Sequence, residues 1–106
     1  MFGALEGLVV IDFTNHLSGP YCAMILADQG ADVIKVERPG KGDDLRQSPP
    51  HVNGEGAPFM LWNRNKRSIE LDLKNPTDLA TAKALVETAD VMIENFRPGV
   101  AERIGI

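Results

Sequence analysis

Leu8-Val-Val-Ile-Asp-Phe13 is almost entirely apolar and rich in β-branched residues, a pattern typical of a strand that is buried on both faces in a parallel sheet. After a turn, Pro20 suits the first position of a helix that continues through Tyr21–Gln29 and ends at Gly30. Residues Ala31–Glu37 predict a second strand. A strand, a helix and a second strand in this order form a right-handed βαβ unit in nearly all cases, so the sequence predicts an α/β fold.

The rest of the chain continues the alternation of strands and helices. Ser68–Leu73 alternates apolar and polar residues and predicts a third strand whose apolar side chains face the core. Asn75–Thr88 predicts a helix that is capped by its first residue. Val91–Glu94 predicts a short fourth strand, and Val100–Ile104 predicts a short last helix. We therefore expect a Rossmann-like parallel sheet with flanking helices.

One segment does not fit this alternation. Pro39–Pro58 contains four prolines and four glycines, which is too many turn-forming residues for a long helix or strand. Loops of this length inside a compact domain are uncommon and are usually functional or disordered, and we favour a functional loop. The apolar residues of Pro58–Asn63 are compatible with a helical turn or a strand, and we favour a helix.

The composition excludes several classes of protein. The chain has 106 residues and a formal net charge of −4, which fits one domain and argues against general nucleic-acid or anionic-membrane binding. The single cysteine, Cys22, excludes an internal disulfide and a cysteine-built metal site, and we expect it to pack in the core. With no secretory signal and no metal ligand set in the sequence, we expect a cytoplasmic protein without a metal. Because the chain ends at Ile106, one residue after a helix stop, we interpret it as a fragment.

Polar and basic residues follow the ends of three predicted strands. Arg38, Lys74 and the segment Asn95-Phe96-Arg97 each come directly after a strand or close to its end. Ligands of parallel sheets collect outside the carboxyl ends of the strands, and a guanidinium group can bind phosphate or stack on a flat base. A polyphosphate with an adenine ring would fit such an edge. The alternative is that these residues are solvated surface charges paired with acidic residues.

The turn after the first strand offers little support for other chemistry. A dinucleotide-binding turn needs three glycines, but only Gly19 lies between Asp12 and Pro20, so Glu37 need not hold a ribose hydroxyl. We expect the Asp12 carboxylate to bond turn amides and not to act as a base. His16 has no second histidine beside it in the sequence that would indicate a catalytic role.

Several segments together resemble the N-terminal part of the class III CoA-transferases of the CaiB/BaiF type. They occur in the order and spacing of that family and cover essentially the whole chain: Val10–Thr14, Gly19-Pro20, Gly30–Pro39, Gly42-Asp43 with Arg46, Asn65–Lys74 and Asp90–Gly99. Family members include formyl-CoA transferase, carnitine CoA-transferase and the related 2-methylacyl-CoA racemase. Their subunits are several times longer, so the resemblance covers only their first part.

The resemblance implies that residues 1–106 are the CoA-binding, Rossmann-like part of a larger enzyme, which is an interlocked homodimer. Such enzymes move CoA from an acyl-CoA to a carboxylic acid through a mixed anhydride on an aspartate, or they racemise a 2-methylacyl-CoA. The substrate thioester is the only cofactor expected, and no catalytic residue is expected in this chain. The implied CoA contacts are Leu17, Ser18, Arg38, Leu71, Asp72, Leu73, Lys74, Asn95, Phe96, Arg97 and Arg103.

Two alternatives to the CoA site remain at this point. The first is the NAD-binding domain of a dehydrogenase, which would need glycines that Thr14–Gly19 does not supply. The second is a non-catalytic α/β interaction module, which would be indifferent to charge reversal at Arg38 or Arg97. Leu17 also lacks the side-chain amide that some transferases of the family place at this position, which favours the racemase or another branch of the family.

Overall fold

The elements of the chain follow the predicted alternation of strands and helices. The structure is a computed structural model that describes residues 3–106. Its elements are β1 (Val9–Asp12), α1 (Ser18–Asp28), β2 (Asp32–Glu37), a 3-10 helix (Asp44–Gln47), β3 (His51–Val52), β4 (Glu55–Gly56), α2 (Ala57–Trp62), β5 (Arg67–Glu70), α3 (Pro76–Thr88), β6 (Val91–Ile93) and α4 (Val100–Ile104). Across the described residues, no helix is both long and apolar enough to cross a membrane.

β1, β2, β5 and β6 form one sheet in the order β5-β2-β1-β6, and every neighbouring pair is parallel. β2 and β5 extend the sheet on one side of β1, and α3 then returns the chain to β6 on the other side. The carboxyl ends of β1 and β6 therefore lie side by side where the winding direction reverses, and ligands of such sheets bind in the crevice at that point. The predicted Rossmann-like parallel sheet with flanking helices is confirmed.

The core consists of two apolar clusters, one on each face of the sheet. One cluster contains Val10, Ala23, Ala27, Ala31 and Val33, so it joins the sheet to α1. The other contains Ile11, Phe13, Val36, Leu71 and Ala82, so it joins the opposite face to α3. Val10 and Ile11 are adjacent in β1 and are both fully buried, which confirms the prediction that this strand is covered on both faces.

Local signals set the ends of the two long helices as predicted. Gly30 has φ +102°, and the Gly30 and Ala31 amides donate to the carbonyls of Ala27 and Leu26 at 3.0 and 3.1 Å. This is the Schellman pattern, which needs a left-handed residue after the helix. Asn75 Oδ1 accepts from the amides of Thr77 and Asp78 at 2.9 and 3.2 Å, so it caps α3 as expected.

Two predictions about α1 are wrong. The helix begins at Ser18, so Pro20 is its third residue and not its first. Cys22 is exposed, not packed in the core. The buried side of α1 is formed by Pro20, Ala23, Met24 and Ala27, and the turn of the helix directs Cys22 away from it.

The third and fourth strands are shorter than predicted. β5 ends at Glu70, although the Leu71 amide still donates to the Glu37 carbonyl at 2.9 Å. The apolar side chains Ile69, Leu71 and Leu73 all pack in the α3-side cluster, which confirms the predicted alternation. β6 ends at Ile93, one residue before the predicted end.

The proline- and glycine-rich segment contains no long element, as predicted, but it is ordered into short ones. β3 and β4 pair antiparallel as a small hairpin, and the 3-10 helix precedes them. α2 follows the hairpin directly, which confirms the helical interpretation of its apolar residues. The segment packs against the carboxyl half of β2, so it borders the edge at which ligands of this fold bind.

Candidate functional site

A cleft opens at the carboxyl edge of the sheet, where the four parallel strands end. It has a volume of about 200 Å³ and is lined by Phe13, Asn15, Val36, Glu37, Arg38, Leu71, Asp72, Leu73, Lys74 and Phe96. Phe13 and Leu71 are buried, and the ring centroids of Phe13 and Phe96 lie 6.0 Å apart. Arg38 and Lys74 are exposed. An apolar floor with cationic side chains at its rim suits a flat ring that carries phosphate groups.

The cleft brings together six of the eleven residues that the sequence singled out: Arg38, Leu71, Asp72, Leu73, Lys74 and Phe96. Five do not line it: Leu17, Ser18, Asn95, Arg97 and Arg103. The sequence analysis missed Phe13, Asn15 and Val36, which line the cleft because they lie at or just after strand ends. The signal that could have found them is their position at the same strand ends as the basic residues.

Arg38 is oriented by the loop that follows it. Its Nε donates to the Gly42 carbonyl at 3.0 Å, and its terminal nitrogen pairs with the Asp44 carboxylate. Both side chains are more than half exposed, and ion pairs of this kind contribute at most about 1 kcal/mol. A phosphate group or an aromatic base can therefore compete with Asp44 for the guanidinium.

Three other cations that the sequence singled out are without a carboxylate partner. Within residues 3–106, Lys74, Arg97 and Arg103 form no ion pair. The alternative that the strand-end cations are surface charges paired with acids therefore applies to Arg38 but not to Lys74, Arg97 or Arg103. An anionic ligand that reached any of these three would not have to displace an acid.

Asp72 shapes the loop between β5 and α3. Its Oδ1 accepts from the Lys74 amide at 3.0 Å, and its own amide donates to Asp78 Oδ2 at 2.9 Å. Its carbonyl accepts from the Asn75 amide at 2.9 Å. Asp72 thus places the backbone of Lys74 beside the cleft.

Glu37 lies at the end of β2 and is fully engaged. Burial by itself would raise the pKa of its carboxyl, but hydrogen bonds from Arg46, Ser68 and the Asp43 amide lower this pKa to about 2. Arg46 donates from Nε and one terminal nitrogen at 2.8 and 2.7 Å, and the same interaction raises the pKa of Arg46. Because both carboxylate oxygens of Glu37 already accept hydrogen bonds, Glu37 is not disposed to hold a ribose hydroxyl. The turn after β1 likewise lacks the three glycines of a dinucleotide-binding turn.

Two lysines, Lys35 and Lys66, are buried in a network of charges. Lys35 Nζ lies 2.9 Å from Asp43 Oδ2, and Lys66 Nζ lies 2.9 Å from Asp12 Oδ2. Desolvation lowers the pKa of Lys66, and Asp12 opposes this effect. The side chain of Lys35 points inward from β2, and its Nζ also donates to the Thr14 carbonyl at 2.8 Å. Neither lysine is available to a ligand.

Asp12 behaves as predicted and has a second role. Its Oδ1 accepts from the Thr14 amide at 2.8 Å and from the Thr14 hydroxyl, which confirms that it bonds turn groups. Its Oδ2 is the counter-ion of Lys66. In the described part of the chain, every buried side-chain nitrogen or oxygen has a hydrogen-bond partner. Over the same residues, no group of three or more His, Cys, Asp or Glu side chains is placed to hold a metal ion.

Comparisons with a family model and with curated relatives point to the same family of proteins. Residues 5–106 match the family model described as CoA-transferase family III. Succinyl-CoA:mesaconate CoA-transferase from Haloarcula hispanica is 52% identical over 106 residues, which cover 95% of this chain and 26% of the relative. Formyl-CoA:oxalate CoA-transferase from Afipia carboxidovorans is 51% identical, with 99% and 25% of the two chains covered.

A solved structure supports the same relationship. The crystal structure of a CaiB/BaiF family protein from Brucella suis matches with a TM-score of 0.93 and 40% identity, over 100% of this chain and 29% of that chain. The chain thus spans about a quarter of the length of the curated relatives that it matches. All the segments that resemble the CoA-transferases lie within the residues that the family model matches.

Proposed function

The chain belongs to CoA-transferase family III, and from this premise we propose that it forms the CoA-binding part of an enzyme that transfers CoA between carboxylic acids. Its substrates are then an acyl-CoA and a free carboxylic acid. The two relatives described above are named for transfer from succinyl-CoA to mesaconate and between formyl-CoA and oxalate. Those names differ in both acids, so the acids used by this chain are left open.

The observation that carries the proposal is the cleft with its apolar floor and cationic rim. We assign the adenine ring to the space beside Arg38, whose guanidinium can stack on a base or bind phosphate. Leu71, Leu73 and Phe96 supply apolar contacts to the ring. Lys74 supplies a positive charge for the phosphates from a backbone position that Asp72 fixes.

The rest of CoA extends beyond the cleft in this proposal. Arg97 and Arg103 lie outside it and meet further phosphate groups, while the thioester end reaches the turn at Leu17 and Ser18. Both residues are exposed at the start of α1, where the first amides of a helix have no partner within the helix. The cleft of about 200 Å³ is too small for a whole CoA molecule, which is consistent with this extended arrangement.

The chemical step belongs to residues outside this chain in our proposal. An aspartate there attacks the acyl-CoA carbonyl, a mixed anhydride forms, and CoA leaves as the thiolate. The thiolate then attacks the aspartyl carbonyl and releases the donor acid. The acceptor carboxylate displaces the thiolate to form a second anhydride. The thiolate attacks the acceptor carbonyl of that anhydride, which forms the new acyl-CoA and frees the aspartate. The chain contributes binding and orientation only, and the complete subunit works as a homodimer.

Racemisation of a 2-methylacyl-CoA is the alternative within the family. It uses the same CoA contacts, so the cleft does not favour either reaction. The two relatives described above are both named as transferases, which is why we propose transfer. Incubation of the longer polypeptide with an acyl-CoA and a labelled free acid tests this choice. A transferase would convert the labelled acid into its CoA thioester. A racemase would invert a 2-methylacyl-CoA and leave the labelled acid free.

Binding is tested by an isotope-edited NMR titration of this chain with CoA, with NAD as a control ligand. We expect CoA alone to shift the amides of Leu17, Ser18, Arg38, Leu71–Lys74 and Asn95–Arg97. Shifts with NAD around Gly19 and Glu37 would favour a dehydrogenase domain. No shift with either ligand would contradict CoA binding by this chain and favour an interaction module.

A matched pair of variants makes the titration specific. Arg38 and Arg67 both form an exposed ion pair, with 56% and 68% of the side chain accessible, but Arg67 lies at the amino end of β5, on the opposite edge of the sheet. We expect Arg38→Ala to weaken CoA binding by about tenfold, because a charge-assisted contact is lost. Arg67→Ala should bind CoA like the unchanged chain.

A further inference from the structure

The turn between β1 and α1 contains a residue with an unusual backbone. His16 has φ +74°, in the left-handed region that non-glycine residues rarely adopt. Such a conformation persists only when the surrounding structure holds it in place. The side chain of His16 is exposed, so its own packing does not supply the restraint.

The restraint comes from Asp43, which is 27 residues away in sequence. The His16 amide donates to both oxygens of the Asp43 carboxylate, at 3.1 and 3.3 Å. Asp43 is fully buried and also accepts from the Leu45 amide at 3.0 Å. Its carboxylate is therefore fixed from the loop side as well as from the turn side.

Lys35 holds the turn from its buried side, and we call Asp43 and Lys35 together the clamp on the turn. Its Nζ lies 2.9 Å from Asp43 Oδ2 and donates to the Thr14 carbonyl at 2.8 Å. Only 1% of the Lys35 side chain is accessible. One buried ion pair thus holds the backbone of the turn at residues 14 and 16.

Residues 16–18 nevertheless form an exposed tip. His16, Leu17 and Ser18 are all solvent-accessible, although the backbone that carries them is tied to a buried charge. A turn that served only to connect two elements would not require its exposed tip to be held in a strained conformation. Rigid presentation of exposed groups is what a binding turn requires.

We propose that Asp43 is a positioning residue for the ligand, which acts through the His16 amide to fix the exposed tip at Leu17 and Ser18. The inference rests on the proposed function, in which the thioester end of CoA reaches this tip. Asp43 also links the two sides of the site. The next residue, Asp44, pairs with Arg38, so one short segment orients both the cleft arginine and the turn.

The test compares Asp43→Asn with Asp90→Asn. Asp90 also accepts a hydrogen bond from a strand residue, the Val9 amide at 2.9 Å, but it lies at the amino edge of the sheet. In the CoA titration, we expect Asp43→Asn to lose the shifts at Leu17 and Ser18 while those at Lys74 remain. Asp90→Asn should keep both sets. Retention of both sets in Asp43→Asn would overturn the proposal.

A ligand-free measurement separates this proposal from the proposed function. We expect hydrogen exchange of the His16 amide to become about tenfold faster in Asp43→Asn, with exchange in β1 and β2 unchanged. If the unchanged chain does not bind CoA, the proposed function fails, while this exchange still reports whether Asp43 holds the turn. An unchanged His16 exchange rate would contradict the clamp itself.

A second variant guards against loss of the fold. Asp43→Asn removes the nearer counter-ion of buried Lys35 and leaves only Asp12, whose Oδ2 lies 3.9 Å from Nζ, which can be strongly destabilising. The double variant Lys35→Met with Asp43→Asn removes both charges and keeps a side-chain oxygen for the His16 amide. We expect it to recover thermal stability relative to Asp43→Asn but not the ligand shifts at Ser18, because a neutral amide oxygen accepts from the His16 amide more weakly than the carboxylate does. Recovery of these shifts would assign Asp43 a purely structural role.

Discussion

Asn95 holds the backbone of Asn15 with both ends of its side-chain amide. Its Oδ1 accepts from the Asn15 amide at 3.2 Å, and its Nδ2 donates to the Asn15 carbonyl at 2.9 Å. The Phe13 amide also donates to the Ile93 carbonyl at 2.8 Å, so the chains leaving β1 and β6 are joined over three residues. This junction lies where the winding of the sheet reverses. Asn95 therefore shapes one wall of the cleft without lining it.

We expect Asn95→Ala to destabilise the chain by about 1 kcal/mol, because two exposed hydrogen bonds are exchanged for bonds to water. CoA binding should weaken as well, since Asn15 would no longer be fixed beside the cleft. Urea unfolding and the CoA titration measure the two effects. Gln47→Ala removes another exposed amide, which donates to the Lys41 carbonyl at 3.2 Å, and it serves as the control. Equal CoA affinity in both variants would count against a role for Asn95 at the site.

Glu37 predicts a pH dependence of stability. Its folded-state pKa is about 2, against 4.5 for an unperturbed carboxyl, so the unfolded chain binds the proton more readily. The stabilisation by the Glu37 carboxylate is fully present above about pH 4.5, is lost as the pH falls from about 4.5 to about 2, and is absent below about pH 2. The shift corresponds to about 3 kcal/mol.

The variant Glu37→Gln tests this dependence. We expect it to be less stable than the unchanged chain at pH 7, with a difference that shrinks steadily between pH 4.5 and 2 in urea unfolding. Glu70→Gln is the matched control, because Glu70 is the register partner of Glu37 in β5 and is exposed. If the difference in unfolding free energy between Glu37→Gln and the unchanged chain did not depend on pH, packing and not charge would stabilise this position.

The sequence predicts those features of the fold that depend on local rules. Gly30 and Asn75 end and cap their helices through their own backbone and side-chain properties, and the apolar run of β1 is buried because no polar group interrupts it before Asp12. Burial of single polar residues depends on distant partners. Lys35 is buried because Asp43 arrives beside it from a loop, and nothing near Lys35 in the sequence indicates this.

The same distinction applies to the site. Strand ends converge in any parallel sheet, so Arg38 and Lys74 could be placed at one edge from their spacing alone. The prediction for Cys22 is wrong because α1 is apolar on several sides, with Tyr21 and Ile25 exposed, and the sequence does not show which side faces the sheet. The clamp on His16 joins residues far apart in sequence and was not predictable.

Lys66 is expected to be important for stability although it lies outside the cleft. Its Nζ donates to Asp12, to the Pro20 carbonyl and to Asn63 Oδ1 at 2.9, 3.0 and 2.7 Å. We expect Lys66→Met to destabilise the chain by about 3 kcal/mol, because removal of one partner leaves a buried charge poorly compensated. Lys83→Met, at an exposed position of α3, should change stability little. Lys35 Nζ also lies 3.9 Å from Asp12 Oδ2, so similar unfolding midpoints for the two variants would show that Lys35 alone compensates Asp12.

Arg97 provides the sharpest distinction between a CoA site and an interaction module. It is exposed, forms no ion pair within residues 3–106 and does not line the cleft, so its replacement should leave the fold unchanged. We expect Arg97→Glu to weaken CoA binding by more than about tenfold, since attraction to a phosphate becomes repulsion. Because exposed charges are screened by salt, this loss should be smaller at moderate than at low ionic strength.

The control for Arg97→Glu is Lys83→Glu, which makes the same change of charge at an exposed position of α3. A comparable loss of CoA affinity in both variants would indicate a response to net charge and not to a contact at Arg97. An unchanged affinity in Arg97→Glu, with Arg38→Ala still impaired, would confine CoA to the cleft and remove Arg97 from the site. If neither variant altered an affinity measurable in the unchanged chain, the strand-end cations would not be the CoA contacts, and the ligand would have to bind elsewhere on the sheet edge.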